Sequence, residues 1–492
     1  MAYRDIREFL KDLEEIGELK HIKAEVDWND EVAAIIEEGL YRKAPALIFD
    51  NVKDYKKTHG RRITVNCLAS WKRMAMALQM PTSNPREMMI EYRNRIKYLI
   101  KPMLVTSGPC KEVIHTGNDV NIYDFPIIKL SPKDGDRYTR WQLCITKDPE
   151  TGWVNAGTYN AMLCGEKNAL IVSPVKTQHM ALHGRKYHAM GKKMPYAIAI
   201  GCDPVTAIVG CASFPADVDE FEMAGALRKE PVALVKCETI DLEVPATAEI
   251  VIEGEVDFDP STYRPEGPGG RYSGYYLSIS KKNLAPVLNI KCITHRKDPL
   301  YWTYATGRDA HIAPTDAGYA LQFQISALIW DHLENIGIEG ITGVWSDPSA
   351  QWTTIFVSMD VKYYGQPKQV AAQIWGNPRF AMLGKFVVVV DSDIDVFDLR
   401  QINHAIANRV RGKEDIIIYK DNVGSPIDPG VAPEIVQKLD IGKWDRVLID
   451  ATWPYEWEPR EEWEGQKHPL KTISDPEMRA RVRGRWKEFG LE

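Results

Sequence analysis

The chain has 492 residues, 44% of them hydrophobic and 26% charged, and its 62 basic and 68 acidic residues give a formal net charge of −6. At roughly 100–200 residues per domain this length predicts two to four domains, and the near balance of charge implies no broad electrostatic attraction to nucleic acid. No apolar run approaches the ~20 residues that cross a bilayer. The N-terminus has no apolar signal core, so we expect a cytoplasmic protein without a membrane partner.

Several common chemistries are argued against by missing motifs. The eight cysteines include no Cys-x-x-Cys pair, which disfavours a zinc ribbon or a thioredoxin-like site. We find no Gly-x-x-x-x-Gly-Lys-Ser/Thr loop, no Gly-x-Gly-x-x-Gly after a strand and no Gly-x-Ser-x-Gly elbow. In a cytoplasmic chain the thiols are expected to be reduced and mostly buried.

The first third of the chain mixes predicted helices and strands. Apolar residues at helical spacing predict two helices, and a short apolar run predicts a buried strand. A further helix is expected to begin at the N-cap Asn84 and the first-turn Pro85. In chain order, these segments are residues 6–16, 30–40, 45–49 and 85–99.

The middle of the chain, from about residue 113 to residue 294, has a different pattern. Short β-like runs are separated by frequent Gly and Pro residues, which is typical of an antiparallel barrel or sandwich. The clearest predicted strands are residues 170–172, 196–200, 248–252 and 287–293.

The last third returns to an alternation of strands and helices. Strands are predicted at residues 353–357, 386–390, 416–418 and 447–449, with a helix at 399–411. The acidic run 391–395 is similar to the start of a calcium loop but lacks the glycine and the glutamate that such a loop needs. We therefore predict that it ends a strand and caps the following helix.

The charged, tryptophan-rich tail after Trp453 leaves two interpretations open. It is either an arm that packs on another surface, such as a second subunit, or a partly ordered tail. Elsewhere, His179 and His183 lie four residues apart, so a helix would place both on one face as potential metal ligands. A lone pair of this kind is more often a satisfied surface or core pair.

Seven segments, in order along nearly the whole chain, together resemble the UbiD family of decarboxylases. They are Gly-Trp-Val-Asn at 152–155, Gln-His at 178–179, the acidic segment 219–227, the stretch 241–254, Glu-Gly-Pro-Gly-Gly at 266–270, Ser-Gly-Tyr-Tyr at 273–276 and residues 293–298. The resemblance implies an α/β (α+β) fold. It implies an N-terminal α/β domain (1–112), a central β-rich split-barrel domain that binds flavin (113–310) and a C-terminal α/β domain with an oligomerising tail (311–492).

The same resemblance implies a prenylated flavin mononucleotide as cofactor. In the family, residues matching Asn155, His179 and Glu220 ligate a divalent metal, Mn²⁺ or Mg²⁺, which bridges to the flavin phosphate. Oxygen and imidazole donors suit these ions. The further cofactor contacts expected by resemblance are Thr158, Tyr159, Gln178 and Ser213. Backbone groups around Ser213 and Met223 are a suggested K⁺ site.

The catalytic residues implied by the resemblance match only in part. Family members place a glutamate, an arginine and a second acid around the reacting carbon. Glu266 stands where the first acid is expected, but Asn160 occupies the place of the arginine and Arg271 the place of the second acid. An arginine stays charged at neutral pH and cannot donate the proton.

This altered set leaves several interpretations open. Arg271 could hold an extra anionic group of the substrate, as in a phenylphosphate carboxylase, or it could bind CO₂ or bicarbonate in the carboxylation of a neutral arene. The chain could instead be a subunit of a carboxylase complex that keeps the fold without the chemistry, or Arg271 could simply face solvent. An ordinary FMN reductase built on a similar barrel is a third class of function.

The expected reaction is the reversible decarboxylation or carboxylation of an aromatic or unsaturated acid. The expected partners are an aromatic carboxylic acid, or an arene with CO₂ or bicarbonate, and a flavin prenyltransferase that supplies the cofactor. We expect a homodimer or homohexamer, with hetero-subunits as an alternative. Substrate-pocket residues are expected at 321–330 and 352–361.

Overall fold

The structure is a computed structural model that describes residues 2–173, 178–212, 214–270, 274–276, 283–305, 314–439 and 441–491. Helices and strands alternate in the first and last thirds of the chain, and strands dominate the middle. The predicted α/β (α+β) fold class is confirmed. The predicted domain boundaries near residues 112 and 310 stay a prediction.

The first third agrees closely with the sequence pattern. Its elements are α1 (Ile6–Glu15), β1 (Leu19–Ile22), α2 (Glu31–Tyr41), β2 (Ala46–Phe49), β3 (Arg62–Val65), α3 (Trp71–Ala77) and α4 (Pro85–Arg95). The Asn84 side chain caps α4, as predicted, by accepting hydrogen bonds from the backbone N–H groups of Arg86 and Glu87. The predicted extension of α4 to residue 99 is wrong. The backbone of Ile100 instead donates to the Glu222 carbonyl at 3.2 Å, so the chain leaves the helix to pair with another segment.

The middle of the chain consists mainly of short strands. Its elements are β4 (Met103–Val105), β5 (Val113–Thr116), β6 (Tyr138–Thr139), β7 (Gln142–Lys147), β8 (Val154–Gly157), β9 (Ala161–Leu163), β10 (Ala169–Val172), α5 (His179–Ala189), β11 (Met194–Ile200), α6 (Pro204–Val209), α7 (Glu220–Arg228), β12 (Ala233–Lys236), β13 (Glu243–Pro245), β14 (Ile250–Val256), β15 (Arg264–Glu266), β16 (Asn283–Ala285), β17 (Val287–His295) and β18 (Leu300–Trp302). The strand predicted at 248–252 begins two residues later and runs further than expected.

Nine of these strands form the central sheet. Their order is β6-β9-β10-β17-β14-β11-β7-β8, with β5 paired to β17. All the pairings are antiparallel, as the sequence pattern predicted, and the sheet curls into a half-barrel. Two smaller sheets join distant parts of the chain, with orders β1-β2-β3-β18 and β13-β12-β4.

The last third forms a five-stranded sheet flanked by helices. Its elements are α8 (Asp316–Asn335), β19 (Ile341–Trp345), β20 (Thr354–Met359), α9 (Gln366–Gly376), β21 (Phe386–Asp391), α10 (Leu399–Arg409), β22 (Ile416–Gly424), α11 (Pro433–Leu439), β23 (Gly442–Ala451) and α12 (Pro476–Gly484). The strand order is β19-β20-β21-β23-β22. The three middle strands are parallel and read as apolar runs because both their faces are covered.

Two predictions in this region need correction. The acidic run does end β21, but the cap of α10 is Asp398, whose side chain accepts from the Arg400 backbone. The helix ends at Arg409 rather than residue 411, because the backbone of Val410 is extended (φ −77°, ψ 124°). The Arg409 guanidinium contacts Asp391 and Asp393 at 2.8–2.9 Å. Asp391 and Asp393 of the acidic run therefore belong to an ion-pair network with Arg409 and do not cap α10.

Helix α8 joins the three regions. It is buried along most of its length and packs on α3, α4, α6, α9 and β19. A helix that is apolar on several faces belongs in the interior, and here α8 packs on β19 of the C-terminal sheet and on helices of all three regions. This position makes α8 a natural wall for a cavity between them.

The tail after residue 453 lies mostly on the surface. Trp453, Trp457, Trp463 and His468 stack on one another with ring centroids 5.5–5.9 Å apart, whereas α12 has no buried residue. Its role in an oligomer stays a prediction. Among the described helices, none combines the length and the apolar character that a membrane span requires.

Candidate active site

Asn155 lies on the hairpin formed by β7 and β8. The register pairs it with Thr146, and its side chain is buried. Its amide contacts the Tyr159 hydroxyl, with the Asn155 Nδ2 and Tyr159 Oη atoms 3.3 Å apart. A tight turn at Gly152, whose φ is +77°, precedes this strand and favours glycine because most other residues avoid that region.

Glu220 is brought to the same hairpin by helix α7. Asp219 caps the helix by accepting from the Phe221 backbone, which leaves Glu220 in the first turn. The Glu220 Oε2 atom accepts a hydrogen bond of 3.0 Å from the backbone N–H of Ala156, the residue after Asn155. A contact across 64 positions therefore places the carboxylate beside Asn155.

His179 opens helix α5 and approaches from a third direction. Its ring packs edge-on against Trp153, with centroids 4.7 Å apart. The Trp153 indole N–H in turn donates to the Val218 carbonyl at 3.0 Å, just before α7. Trp153 thus ties the start of α5 and the start of α7 to the strand that carries Asn155.

The suggested pairing of His179 with His183 is not supported as a ligand pair. Both lie on α5 and both contact Trp153. His183, however, is fully buried and its Nδ1 atom forms a 2.9 Å hydrogen bond with the Thr146 hydroxyl. His183 therefore holds α5 against the hairpin, and burial lowers the pKa of both imidazoles.

The donor set fits a divalent cation. Burial raises the pKa of Glu220 to about 8, so this carboxyl keeps its proton at neutral pH unless a cation neutralises it. Within the described residues Glu220 forms no ion pair. An amide oxygen, a neutral imidazole and a carboxylate are ligands that Mn²⁺ or Mg²⁺ accepts, and a phosphate could complete the coordination.

A cavity of about 360 Å³ lies next to these donors, within the usual size of ligand pockets. Its lining includes four of the residues expected at the cofactor or reaction site, Thr158, Tyr159, Asn160 and Gln178. Much of the remaining lining is apolar and includes Leu321, Ile325, Leu328, Trp352, Phe380 and Leu383. Four of these lie in the two segments, 321–330 and 352–361, in which we predicted pocket residues.

Arg379 also lines this cavity. It is the only charged side chain among the described lining residues. Its Nε and Nη2 atoms have no hydrogen-bond partner in the part of the chain that the structure describes, although the guanidinium stacks 5.5 Å from the Phe380 ring centroid. An arginine in this state offers donors to a polar or anionic substituent of a bound molecule.

Glu266 lies in a neighbouring cavity. It ends β15, is 2% exposed, and accepts a 2.8 Å hydrogen bond from the Tyr138 hydroxyl. It lines a second cavity of about 450 Å³, and the two cavities meet at one loop. Ser425 and Ile427 line the first cavity, while Pro426 between them lines the second.

Arg140 is a residue that the sequence analysis missed. Strand β6 pairs Tyr138 with Met162 and Thr139 with Ala161. Arg140 and Asn160 are the next residues along this register, one position beyond the paired strands. Cross-strand partners carry their side chains on one face. The sequence alone gave no sign of this, because the pairing of β6 with β9 is a long-range contact.

The Arg140 guanidinium is buried and lacks an anion. The residue is 1% exposed, its Nε and Nη1 atoms have no hydrogen-bond partner, and within the described residues it forms no ion pair. It stacks over the Tyr138 ring at 4.9 Å, and the hydroxyl of that tyrosine binds Glu266. A permanently charged group in this environment is costly unless a ligand pairs with it.

Two predicted site residues, Ser213 and Arg271, lie outside the described residues. Of the others, Asn155, His179 and Glu220 gather around the β7–β8 hairpin. Thr158, Tyr159, Asn160 and Gln178 line the first cavity, and Glu266 lines the second.

Three family models match successive parts of the chain. They are the N-terminal domain (residues 10–91), the Rift-related domain (103–309) and the C-terminal domain (319–451) of the 3-octaprenyl-4-hydroxybenzoate carboxy-lyase family, UbiD. Together they cover most of the chain.

Individual relatives agree with this match. The phenolic acid decarboxylase of Bacillus subtilis (strain 168) is 32% identical over 472 residues, which cover 94% of each chain. The vanillic acid decarboxylase of Sedimentibacter hydroxybenzoicus in its open form is 26% identical, with a TM-score of 0.85 over 100% of both chains. An evolved dimeric form of the UbiD-class enzyme HmfF from Pelotomaculum thermopropionicum, solved with prenylated FMN, is also 26% identical. Its TM-score is 0.79, over 97% of this chain and 98% of that one. The chain therefore belongs to the UbiD family of carboxy-lyases.

Proposed function

We propose that this chain removes the carboxylate of an aromatic or unsaturated acid, or adds it in the reverse direction, with prenylated FMN and a divalent metal. The observation that carries the proposal is the hydrogen bond between the Ala156 backbone and Glu220. This bond places a buried carboxylate beside Asn155, at the edge of a ligand-sized cavity. HmfF, with the same architecture, binds prenylated FMN.

Asn155, His179 and Glu220 would hold Mn²⁺ or Mg²⁺, whose charge would offset the charges of the Glu220 carboxylate and of a flavin phosphate. When bound, the prenylated flavin supplies the electron sink that loss of CO₂ from an sp² carbon requires. The remaining chemistry falls to side chains of this protein.

Glu266 and Arg140 divide that chemistry between them. Arg140 is buried, has no anionic partner among the described residues and stacks on the tyrosine that binds Glu266; it would hold the carboxylate that leaves as CO₂. The carbon that bore it then needs a proton, and Glu266, oriented by Tyr138, is the acid that delivers it. In the direction of carboxylation, Glu266 takes the proton from the same carbon and Arg140 holds the new carboxylate.

The proposed site can be tested by measuring bound flavin and metal and by measuring exchange of labelled CO₂. Protein co-produced with a flavin prenyltransferase should carry a bound flavin and about one equivalent of divalent metal, measured by absorbance and elemental analysis. It should also exchange labelled CO₂ into an aromatic acid. The panel of acids should include phenolic and dicarboxylic compounds, because Arg379 presents unpaired donors to the cavity. Protein without flavin and metal would contradict the proposal.

A non-catalytic subunit of a carboxylase complex is the alternative that Asn160 suggested. The buried guanidinium of Arg140 favours an active enzyme, because it stacks on Tyr138, whose hydroxyl donates to Glu266, and so supplies a cation near that acid. Label exchange by the isolated chain would exclude the alternative. Exchange that appears only after a second subunit is added would support it.

Loss of a proposed metal ligand should empty the cofactor site. We expect Glu220→Gln and His179→Ala to lower metal content and flavin retention by at least the roughly 10–100-fold that weaker perturbations of metal sites cause. The matched controls are Glu222→Gln on α7 and His188→Ala on α5, which should leave both unchanged. The measurement is metal and flavin per chain after gel filtration. Equal occupancy in all four variants would contradict the metal site.

A further inference from the structure

Three histidines from distant parts of the sequence meet away from the cavities described above. His59 lies between β2 and β3, His115 lies in β5, and His295 ends β17. One ring nitrogen from each lies within 4.8 Å of the other two. The rings are also in mutual contact, with centroids 4.5–5.2 Å apart.

The sheet fixes two of the three rings. Strands β5 and β17 are antiparallel, and His115 is paired with Ile293. His295 is therefore the diagonal neighbour of His115 on the same face. The Nε2 atoms of His115 and His295 are 3.0 Å apart, the distance of a hydrogen bond in which one nitrogen carries the proton. Because both nitrogens face each other, a metal ion bound between them would replace that proton.

The tautomer of His295 is set by its backbone. Its Nδ1 atom lies 2.7 Å from the Arg296 carbonyl oxygen, which can only accept a hydrogen bond. Nδ1 therefore carries the proton, and Nε2 is left with a lone pair. A carbonyl that orients a histidine in this way is a recurring feature of metal ligands. Phe125 holds the other side of the ring, with centroids 5.5 Å apart.

The third ring is delivered by the N-terminal part of the chain. His59 is exposed, but the next residue, Gly60, is fixed because its N–H donates to the Asp124 carbonyl at 3.1 Å. A Cβ at Gly60 would come within 2.9 Å of the Phe125 ring, so glycine allows this loop to approach the sheet closely. The position of His59 is thus built into the packing of the loop.

We propose that His59, His115 and His295 form a second metal site, which takes Zn²⁺ or a similar borderline divalent ion with water in the open position. Three imidazoles suit zinc, whereas the harder Mn²⁺ and Mg²⁺ prefer oxygen-rich sets. Two nitrogens bound tetrahedrally at about 2.0–2.1 Å lie about 3.3 Å apart, so the His115–His295 pair needs to open only slightly. The ion would join the loop between β2 and β3 to the central sheet.

Cobalt is a suitable probe because a tetrahedral Co²⁺ ion has intense visible bands that an octahedral ion lacks. Chelator-treated wild-type protein should bind one Co²⁺ with this spectrum, and Zn²⁺ should displace it. We expect His59→Ala to weaken Co²⁺ binding by more than the roughly 10–100-fold that loss of an outer-shell partner costs. His59→Ala/His115→Ala should abolish it. The exposed His404→Ala variant is the matched control and should behave as wild type.

The test separates this site from the proposed cofactor site. His179→Ala should keep the tetrahedral Co²⁺ spectrum, since His179 belongs to the other donor set. Zn²⁺ should raise the melting temperature of wild-type protein but not of the double variant. A wild-type protein without the tetrahedral spectrum, or one whose spectrum survives in the double variant, would overturn the proposal. In that case the three rings are only a hydrogen-bonded and stacked cluster.

Discussion

Glu266→Gln is expected to reduce turnover by about 10²–10⁴-fold, the range that a positioned general acid contributes, while flavin and metal contents stay at wild-type levels. The amide has nearly the shape of the carboxylate and keeps an oxygen for the hydrogen bond from Tyr138. It cannot give a proton to carbon or take one from it. The measurement is the initial rate of CO₂ release, or of label exchange, per mole of bound flavin.

A matched control separates the loss of the acid at position 266 from the loss of one negative charge anywhere in the protein. Glu255→Gln makes the same substitution on the surface of β14, where Glu255 pairs with Lys291 at 2.7 Å, and should leave the rate unchanged. Activity retained by Glu266→Gln would mean that another group handles the proton. Loss of flavin from that variant would mean that Glu266 has a structural role in the second cavity.

Local sequence patterns predicted elements whose signals lie within the element itself. Helix α1 follows from apolar residues at helical spacing, and the start of α4 from the Asn84 cap. Element ends that depend on distant contacts were predicted less well. The end of α4 is set by pairing of Ile100 with Glu222, and the long strand β23 was predicted too short because charged Asp445 and Arg446 interrupt its apolar pattern.

The candidate site depends even more on contacts between distant residues, which the sequence pattern does not reveal. Asn155, His179 and Glu220 were nominated by resemblance to a family, since nothing in their spacing links them. What joins them is one hydrogen bond from Ala156 to Glu220 and the packing of Trp153. Arg140 had neither kind of signal. Its closeness to Asn160 can be inferred only once the pairing of β6 with β9 is known.

Arg140→Gln is expected to lower kcat/KM by about 10- to 150-fold. Hydrogen bonds to charged groups contribute roughly 1.5–3 kcal/mol, and about 1.4 kcal/mol corresponds to tenfold in rate. The kcat/KM of Arg140→Lys should fall between those of the wild type and Arg140→Gln. The ammonium keeps the charge but loses the two-pronged geometry that matches a carboxylate. Flavin content should not change in either variant. Loss of flavin would show that Arg140 binds the cofactor.

The melting temperature of an Arg140 variant is a second measurement of its role. It should fall if Arg140 only stabilises the fold, and should stay equal or rise if Arg140 binds substrate. A buried guanidinium without an anion destabilises the resting enzyme, and neutral replacement of buried charge is often neutral or stabilising. We therefore expect Arg140→Met to lose activity while its melting temperature without substrate stays equal or rises. A melting temperature that falls together with activity would contradict the role in substrate binding.

The register also predicts that an arginine at position 160 partly restores the activity lost when Arg140 is replaced. The register of β6 and β9, continued by one residue, brings position 160 opposite position 140, where cross-strand Cβ atoms would lie about 4.5–5.5 Å apart. An arginine moved to position 160 can therefore reach the same carboxylate. Arg140→Asn/Asn160→Arg should recover activity relative to Arg140→Asn alone, measured as kcat/KM on the same acid. If the cation were needed only at position 140, for packing against Tyr138, the double variant would be as inactive as the single one.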